Sequence, residues 1–428
     1  MIGSRPHTIG AMDRPISRRE MLGNAAKLGA AGGALALTSS ALLSACDSNS
    51  SKAATTAAVA DAVVPYTGVH QAGIVTPPPG RLVYAAFDVT ATKRDDLRTL
   101  LQKWSTAIAA LTVGKPVGAV APKSPIAAPG DTGEATGLGP ASLTVTVGFG
   151  RTLFVDGRGN DRFGLAAQLP APLVEMPHFT RDALDPARSG GDLSVQCCAD
   201  DAQVAFHALH NLTHLAHGTA RVRWVQLGFG PTSVQGTAQP TARNLMGFKD
   251  GTNNPSIHDD APMRKFVWVG AGDSPAWMRN GTYAAVRRIH MHLPNWDGSS
   301  IGDQQLTIGR SKLEGAPLGR EHEHDTVDLD LMPTRAHIHR AAPATNNGVR
   351  LLRRGYNFAD GVDPHTGEIA AGLFFVAYQR DPRTAFIPIQ RNLDEADALN
   401  EYVVHVGSGL FAVPPGIASG GYVGETLF

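Results

Sequence analysis

An apolar run, "RLVYAAFDV" (Arg81 to Val89), predicts the first clear strand of the chain, and the alternation in "ASLTVTVGFG" (Ala141 to Gly150) predicts another. Between them, "RDDLRTLLQKWSTAIAAL" (Arg94 to Leu111) sets apolar residues at helical spacing, and a Pro/Gly/Ala-rich loop runs from Gly114 to Gly139. Two later segments copy one another. "GDLSVQCCADDAQVAFHALHNL" (Gly191 to Leu212) reads as a strand, an acidic turn and a helix, and "GLFFVAYQRDPRTAFIPIQRNL" (Gly372 to Leu393) repeats that order, with Asp200 against Asp381 and Leu212 against Leu393. Each is followed by a further strand, "VRWVQLGF" and "YVVHVGSGLFAV". A duplicated strand–helix–strand unit predicts an α+β fold of two halves, each an antiparallel sheet with helices on one face. The stretch "GFKDGTNNP" (Gly247 to Pro255) falls at the junction of the halves, where clefts usually hold ligands.

Composition narrows the function. Lys+Arg and Asp+Glu both number 38 in 428 residues, so neither nucleic acid nor an anionic membrane is called for as a partner. Three cysteines exclude a disulfide scaffold; Cys197 and Cys198, adjacent in a predicted strand, are expected to face opposite ways as packed thiols. The N-terminus changes the picture more. Arg18 and Arg19 precede a weakly apolar Ala/Gly/Leu segment that ends in "LSAC" (Leu43 to Cys46). Residues 1–46 therefore read as a twin-arginine export signal with a lipobox-like end, Cys46 being the expected lipid anchor. The Ser/Ala/Thr-rich residues 47–65 read as a flexible tether, and the folded part is expected from Tyr66. The expected location is outside the cytoplasmic membrane, tethered by lipid.

By themselves, the glycines, lysine, aspartate and proline of "GFKDGTNNP" suit a surface turn. "EHEHD" (Glu321 to Asp325) has metal-ligand residue types, but its alternating histidines lack a converging third ligand, so it reads as a polar loop. "AHIHRAAP", with His337 and His339, is followed by "RLLRRGYNF" with consecutive arginines. An imidazole to hold iron, with an acid and a guanidinium to handle peroxide, is a set that suits haem chemistry, although a lone histidine is more often a packed or surface residue.

The chain resembles the dye-decolourising haem peroxidases, and within them the exported subgroup linked to iron uptake and described as deferrochelatases. The likeness covers most of the chain from Tyr66 and is carried by "HQAGI", "TGLGPASLTVTVGFG", "GFKDGTNNP", "GRSKLEGAPLG", "EHEHD", "HIHRAAP", "LLRRGYNF" and "FAVPPG". Gly247, Asp250 and Gly251 supply the family's Gly-x-x-Asp-Gly signature. The resemblance implies two ferredoxin-like halves, residues 66–245 and 246–428, with antiparallel sheets, helices on the outside and one non-covalent haem b in the C-terminal half. It implies His337 as the proximal iron ligand, because His337 opens the His-Ile-x-x-Ala segment. His339 stands where relatives often carry arginine, and in a strand it would point the same way as His337. Asp250 takes the distal acid position and Arg353 the distal cation. Gly251, Thr252 and Asn253 are expected along the haem edge. Ala342, Pro343 and Ala344 match a haem-contacting segment that often reads Asn-Pro-Arg in relatives, so a polar contact to a propionate is missing here. An acid is expected to accept the second ring N–H of the proximal histidine; the candidate is Asp397, with Glu395 and Glu401 as alternatives.

The implied reaction is reduction of hydrogen peroxide at the expense of one-electron donors such as dyes, phenolics, porphyrinogens or metal ions. Trp224, Trp296, Tyr356 and Tyr378 are candidates for a surface electron relay, though each also reads as a core residue. The subgroup likeness alone implies iron release from haem and partners in iron uptake. An exported haem- or iron-binding lipoprotein without turnover is the alternative, and a haem-dependent chlorite-decomposing enzyme would not need the aspartate. The oligomeric state is left open.

Overall fold

The computed structural model describes residues 61–231, 241–273, 275–364 and 366–428. The twin arginines, Cys46 and most of the predicted tether lie outside them. The first half runs β1 (Arg81–Val89), α1 (Arg94–Leu111), β2 (Thr144–Gly150), β3 (Leu193–Ala199), α2 (Ala202–Leu215) and β4 (Ala220–Pro231). After the short helix α3 (Asp260–Phe266), the second half begins with β5 (Thr282–Met291). It continues through three short helices, α4 (Leu293–Asp297), α5 (Ile301–Ile308) and α6 (His337–Ala341). The strands β6 (Leu352–Arg353), β7 (Tyr356–Val362) and β8 (Ile369–Gln379), the helix α7 (Phe386–Ala396) and β9 (Val403–Val413) complete it.

Strand order is β2-β3-β1-β4 in the first sheet and β7-β8-β5-β9 in the second, all antiparallel. With β5, β7, β8 and β9 counted as the four strands of their half, the two orders are the same, which is the interleaved ferredoxin-like topology. The sheets meet at both edges, through Phe149↔Ala412 between β2 and β9 and through Phe229↔Asn357 between β4 and β7. Eight strands thereby close on themselves, and β6 pairs with β8 alone.

The faces follow from strand alternation. Val83, Ala85 and Phe87 of β1 face outward under α1 and α2, while Leu82, Tyr84 and Ala86 face the space between the sheets. On α1, Leu97, Leu101, Trp104, Ile108 and Leu111 recur every three or four residues and all are buried. Each such side chain stabilises the fold by about 1.5–3 kcal/mol through burial. Cys197 and Cys198 are buried free thiols in different apolar clusters, on opposite faces of β3. Of the two readings of Trp224, Trp296, Tyr356 and Tyr378, the core one holds: all four are buried, and none lies at the surface where a relay would begin. No helix among the described residues is long and apolar enough to cross a membrane.

Candidate active site

Asp250 stands on the return arm of a small hairpin. Asn244 turns the chain by accepting hydrogen bonds at Oδ1 from the Met246 and Phe248 amides, and Gly247 takes the positive φ of 83° that the turn demands. The Asp250 amide donates to the Ala242 carbonyl at 2.9 Å, which fixes the register of the arm. At Gly251 the backbone enters the left-handed region again, with φ 98°, so no Cβ stands beside the carboxylate. Asp250 Oδ1 accepts from Arg353 Nη1 at 2.5 Å, and no hydrogen bond from a described residue occupies its Oδ2.

Arg353 comes from β6, paired with β8 at Arg353↔Ala377. Asn254 holds its backbone twice, donating from Nδ2 to the Arg353 carbonyl at 2.8 Å and accepting the Arg353 amide at 3.1 Å. Arg354 turns the other way, fully buried, and donates to the Thr76 carbonyl. Only the first arginine of the pair reaches Asp250.

Glu323, the acid inside "EHEHD", braces the same loop. It accepts from Lys249 Nζ at 2.7 Å, from Thr252 Oγ1 at 2.9 Å and from Thr241 Oγ1. Burial works to raise its pKa, but these donors outweigh burial and hold the carboxyl below the ordinary carboxylate range. His322 and His324 are exposed, so the segment is a brace rather than a metal site. Buried Arg310 completes it, donating to the Gly315 carbonyl at 2.6 Å and the Glu323 carbonyl at 2.9 Å.

His337 opens α6. A five-residue helix cannot satisfy its own terminal carbonyls. Here the Arg340 carbonyl accepts from Asn346 Nδ2 and Asn392 Nδ2, both at 2.7 Å, and the His339 carbonyl accepts from Thr345 Oγ1 at 2.7 Å. Arg340 in turn donates to the Asn392 carbonyl and to Glu395, locking α6 to α7. Helical geometry corrects the strand-based expectation for the histidine pair. Residues two apart on a helix lie about 200° apart around its axis, so His339 does not share the direction of His337, and its buried Nδ1 has no hydrogen-bond partner among the described residues.

Asp397, just past α7, is 3 % exposed at its side chain and lies 2.6 Å from His337 Nδ1 through Oδ2. Its Oδ1 accepts the Leu399 amide at 2.9 Å, and the Ala398 amide donates to the Arg335 carbonyl at 2.8 Å, so the carboxylate is aimed by backbone on both sides. Glu395 pairs with Arg340 and Glu401 with Arg335, which removes both alternatives from His337. Burial acts to lower the His337 pKa, but Asp397 outweighs it, and with Asp250 contributing the imidazole lies above the ordinary histidine value. Asp250 and Arg353 also weigh on this ring from farther off, the acid raising its pKa and the arginine lowering it. With Nδ1 engaged, Nε2 is the open nitrogen, on a side chain that is 31 % exposed.

Ala342, Pro343 and Ala344 follow α6 in a short turn, where the Ala342 carbonyl accepts from Asn346 Nδ2 at 2.8 Å. Asn253 makes no side-chain hydrogen bond to a described residue, and Thr252 is turned to Glu323. Sequence reasoning missed Asn254, Glu323 and Arg310. Asn254 lies inside the quoted nine-residue stretch and Glu323 inside the histidine loop, but their partners are distant in sequence.

The family models "Dyp-type peroxidase, N-terminal" and "Dyp-type peroxidase, C-terminal" match residues 71–230 and 241–418. Deferrochelatase of Escherichia coli K12 is 38% identical over 377 residues, covering 85% of this chain and 86% of that protein. Among solved structures, ferric DtpA from Streptomyces lividans is 42% identical with a TM-score of 0.77, covering 86% of this chain and 98% of its own. The DyP-type peroxidase from Cellulomonas bogoriensis is 41% identical with a TM-score of 0.76, covering 86% and 99%. With both family models matched in order across the two halves that close the sheet, the chain belongs to the Dyp-type peroxidases.

Proposed function

We propose that this chain is a haem b peroxidase that reduces hydrogen peroxide at the expense of one-electron donors, with Asp250 and Arg353 as its catalytic pair. The carrying observation is the 2.5 Å Asp250–Arg353 bond that leaves one Asp250 oxygen unshared, together with the His337–Asp397 pair that leaves Nε2 open. This donor set fits the cofactor that the resemblance implies. His337 Nε2 would hold the iron, Asp397 fixing the ring through Nδ1. Gly251, Thr252, Asn253 and the Ala342–Ala344 turn would line the macrocycle. Bound haem supplies the iron centre through which peroxide takes up electrons.

Each protein group then has one task. With the cofactor held there, Asp250 Oδ2 would take one proton from hydrogen peroxide and return it to the oxygen that leaves as water. Arg353 stabilises the negative charge that develops on the departing oxygen. Asn254 and Glu323 act as positioning residues, holding the Arg353 backbone and the Asp250 loop. Two electrons from the donor and two protons complete the conversion of hydrogen peroxide to two waters.

Residues 66–245 and 246–428 are the two halves in this reading, the second holding haem. Export through Arg18 and Arg19 and lipid attachment at Cys46 fit a protein that leaves the cytoplasm folded. Iron release from haem is the activity in the name of the Escherichia coli relative, and it is the second reaction of this proposal. A haem or iron carrier without turnover leaves the Asp250–Arg353 pair without a task.

Stopped-flow mixing with peroxide, at matched haem occupancy, tests the pair. Asp250→Asn keeps size but cannot take the proton, and the peroxide-dependent change of the Soret band is expected to slow by about 10²–10⁴-fold. A parent rate in Asp250→Asn together with a slow Arg353→Leu would leave the arginine as the essential group. Dye turnover and iron-free porphyrin, measured on the same sample, separate the two reactions.

A further inference from the structure

A second cluster of ligand-type side chains lies away from this chemistry. His290 is the penultimate residue of β5, and His292 follows two positions on. Glu368 stands just before β8, brought to them by the β7–β8 hairpin. Donor atoms of all three lie within 4.8 Å of one another. The two imidazole rings are 5.0 Å apart at their centroids and nearly perpendicular, at 81°, so they converge without stacking.

Alternation puts this cluster on the other side of β5 from the site above. Met291, between the histidines, packs with Met246, Trp296 and Leu373 beneath the Asp250 hairpin. His290 and His292 therefore face away from that hairpin. No hydrogen bond from another described residue occupies their ring nitrogens or the Glu368 carboxylate oxygens, although His290 is only 9 % exposed. The three groups are partly buried and their donor atoms stay open to solvent, so an ion can reach the point where they meet. The nearest cation on the strand, Arg288, is paired with Asp360 at 2.9 Å, which offsets part of its charge.

We propose that His290, His292 and Glu368 bind one divalent transition ion of the zinc, copper, nickel or cobalt class, at a site separate from Asp250, Arg353 and His337. Two imidazoles and one carboxylate are a known three-ligand set for such ions, with water in the fourth position. Imidazole nitrogen selects them over magnesium and calcium, which prefer oxygen. A tetrahedral centre with bonds of about 2.1 Å sets its donors about 3.4 Å apart, so the side chains draw together on binding. The burial of His290, with His292 and Arg288 beside it, disfavours its protonated form and leaves the neutral ring that a metal requires.

The test uses the full haem-loaded chain, stripped of loose metal with a chelator and titrated calorimetrically with zinc chloride. One zinc per chain is expected, unaffected by millimolar magnesium. Glu368→Gln, a shape-conserving change on a hairpin, is expected to weaken binding by at least about tenfold, equivalent to about 1.4 kcal/mol. The double change His292→Ala with Glu368→Gln is expected to abolish it. The Soret band and dye turnover of Glu368→Gln are expected to match the parent. A parent protein that takes up no zinc overturns the proposal. So does a Glu368→Gln protein that binds zinc as tightly as the parent.

Discussion

The two halves share a strand order but differ in what covers the sheet. In the first, the connection from β1 to β2 contains an 18-residue amphipathic helix, whose leucines and Trp104 seal the outer face. In the second, the α-helices of the equivalent connection from β5 to β7 are only α4, α5 and α6, of five, eight and five residues. The strands differ accordingly. Outward positions of β1 are Val83, Ala85 and Phe87, whereas the same face of β5 has Arg287 after Tyr283 and Ala285. Arg287 is fully buried and bound to Asp182, Ser408 and His405. The comparison teaches where chemistry enters a duplicated fold. One copy spends its crossover on an apolar cover, and the other uses a somewhat longer connection to carry His337 and Arg353.

The largest effect expected on the second half is that of His337→Ala. The protein is expected to purify with little haem, and added imidazole is expected to restore part of the Soret band. His339→Ala is expected to keep its haem, since α6 directs that side chain elsewhere. Haem absorbance per chain after gel filtration decides between them. Loss in His339→Ala with retention in His337→Ala would reassign the ligand and, with it, the role of Asp397.

That assignment was legible in the sequence only in part, for a physical reason. The strand–helix–strand copies could be read because alternation and helical spacing are local patterns, complete within about twenty residues. Asp250, Arg353 and His337 could be picked out from co-ordered motifs. Trp224 and Tyr356 are core residues, as their apolar surroundings in the sequence also suggest, and neither reaches the surface as a relay would need. Helix α6 gave no periodic signal, since its carbonyls are capped by Asn346 and Asn392 from outside it. Glu323 and Asn254 stayed hidden because their partners are 71 and 99 residues away. The bonds that aim the site are long-range, and long-range bonds leave no local pattern.

A smaller effect, in the first half, sharpens the contrast. Trp104 is 1 % exposed and donates from Nε1 to the Leu212 carbonyl at 2.8 Å, tying α1 to α2. Trp104→Ala is expected to cost about 3–5 kcal/mol of stability through lost burial and the cavity left behind. The folded fraction is expected to keep its Soret band and its turnover per haem. Chemical denaturation followed by far-UV circular dichroism reads the first expectation and dye assays read the second. A large loss of turnover per haem would show that the cover of one half and the site of the other are energetically coupled.

The smallest effect is that of Glu323→Gln, and its sign is set by pH. Glu323 binds a proton less readily in the folded chain than in the unfolded one, because Lys249, Thr241 and Thr252 outweigh its burial. The stability it contributes is therefore fully present above the unfolded carboxylate value of about 4.3. It is lost as the pH falls toward the lower folded value, where the folded carboxyl also takes up its proton. At pH 7, Glu323→Gln is expected to cost about 1–2 kcal/mol, the range of hydrogen bonds to a charged group less what the amide oxygen still accepts. At pH 4 and below the difference from the parent is expected to narrow. Because Thr252 and Lys249 flank Asp250, the peroxide step is expected to slow as well, by less than about tenfold, well short of Asp250→Asn. Urea midpoints of both proteins at pH 7 and pH 4 carry the test. A stability difference that stays constant over that interval would mean that Glu323 holds the loop by shape rather than by charge, and the second half would then owe its site to packing as the first owes its cover.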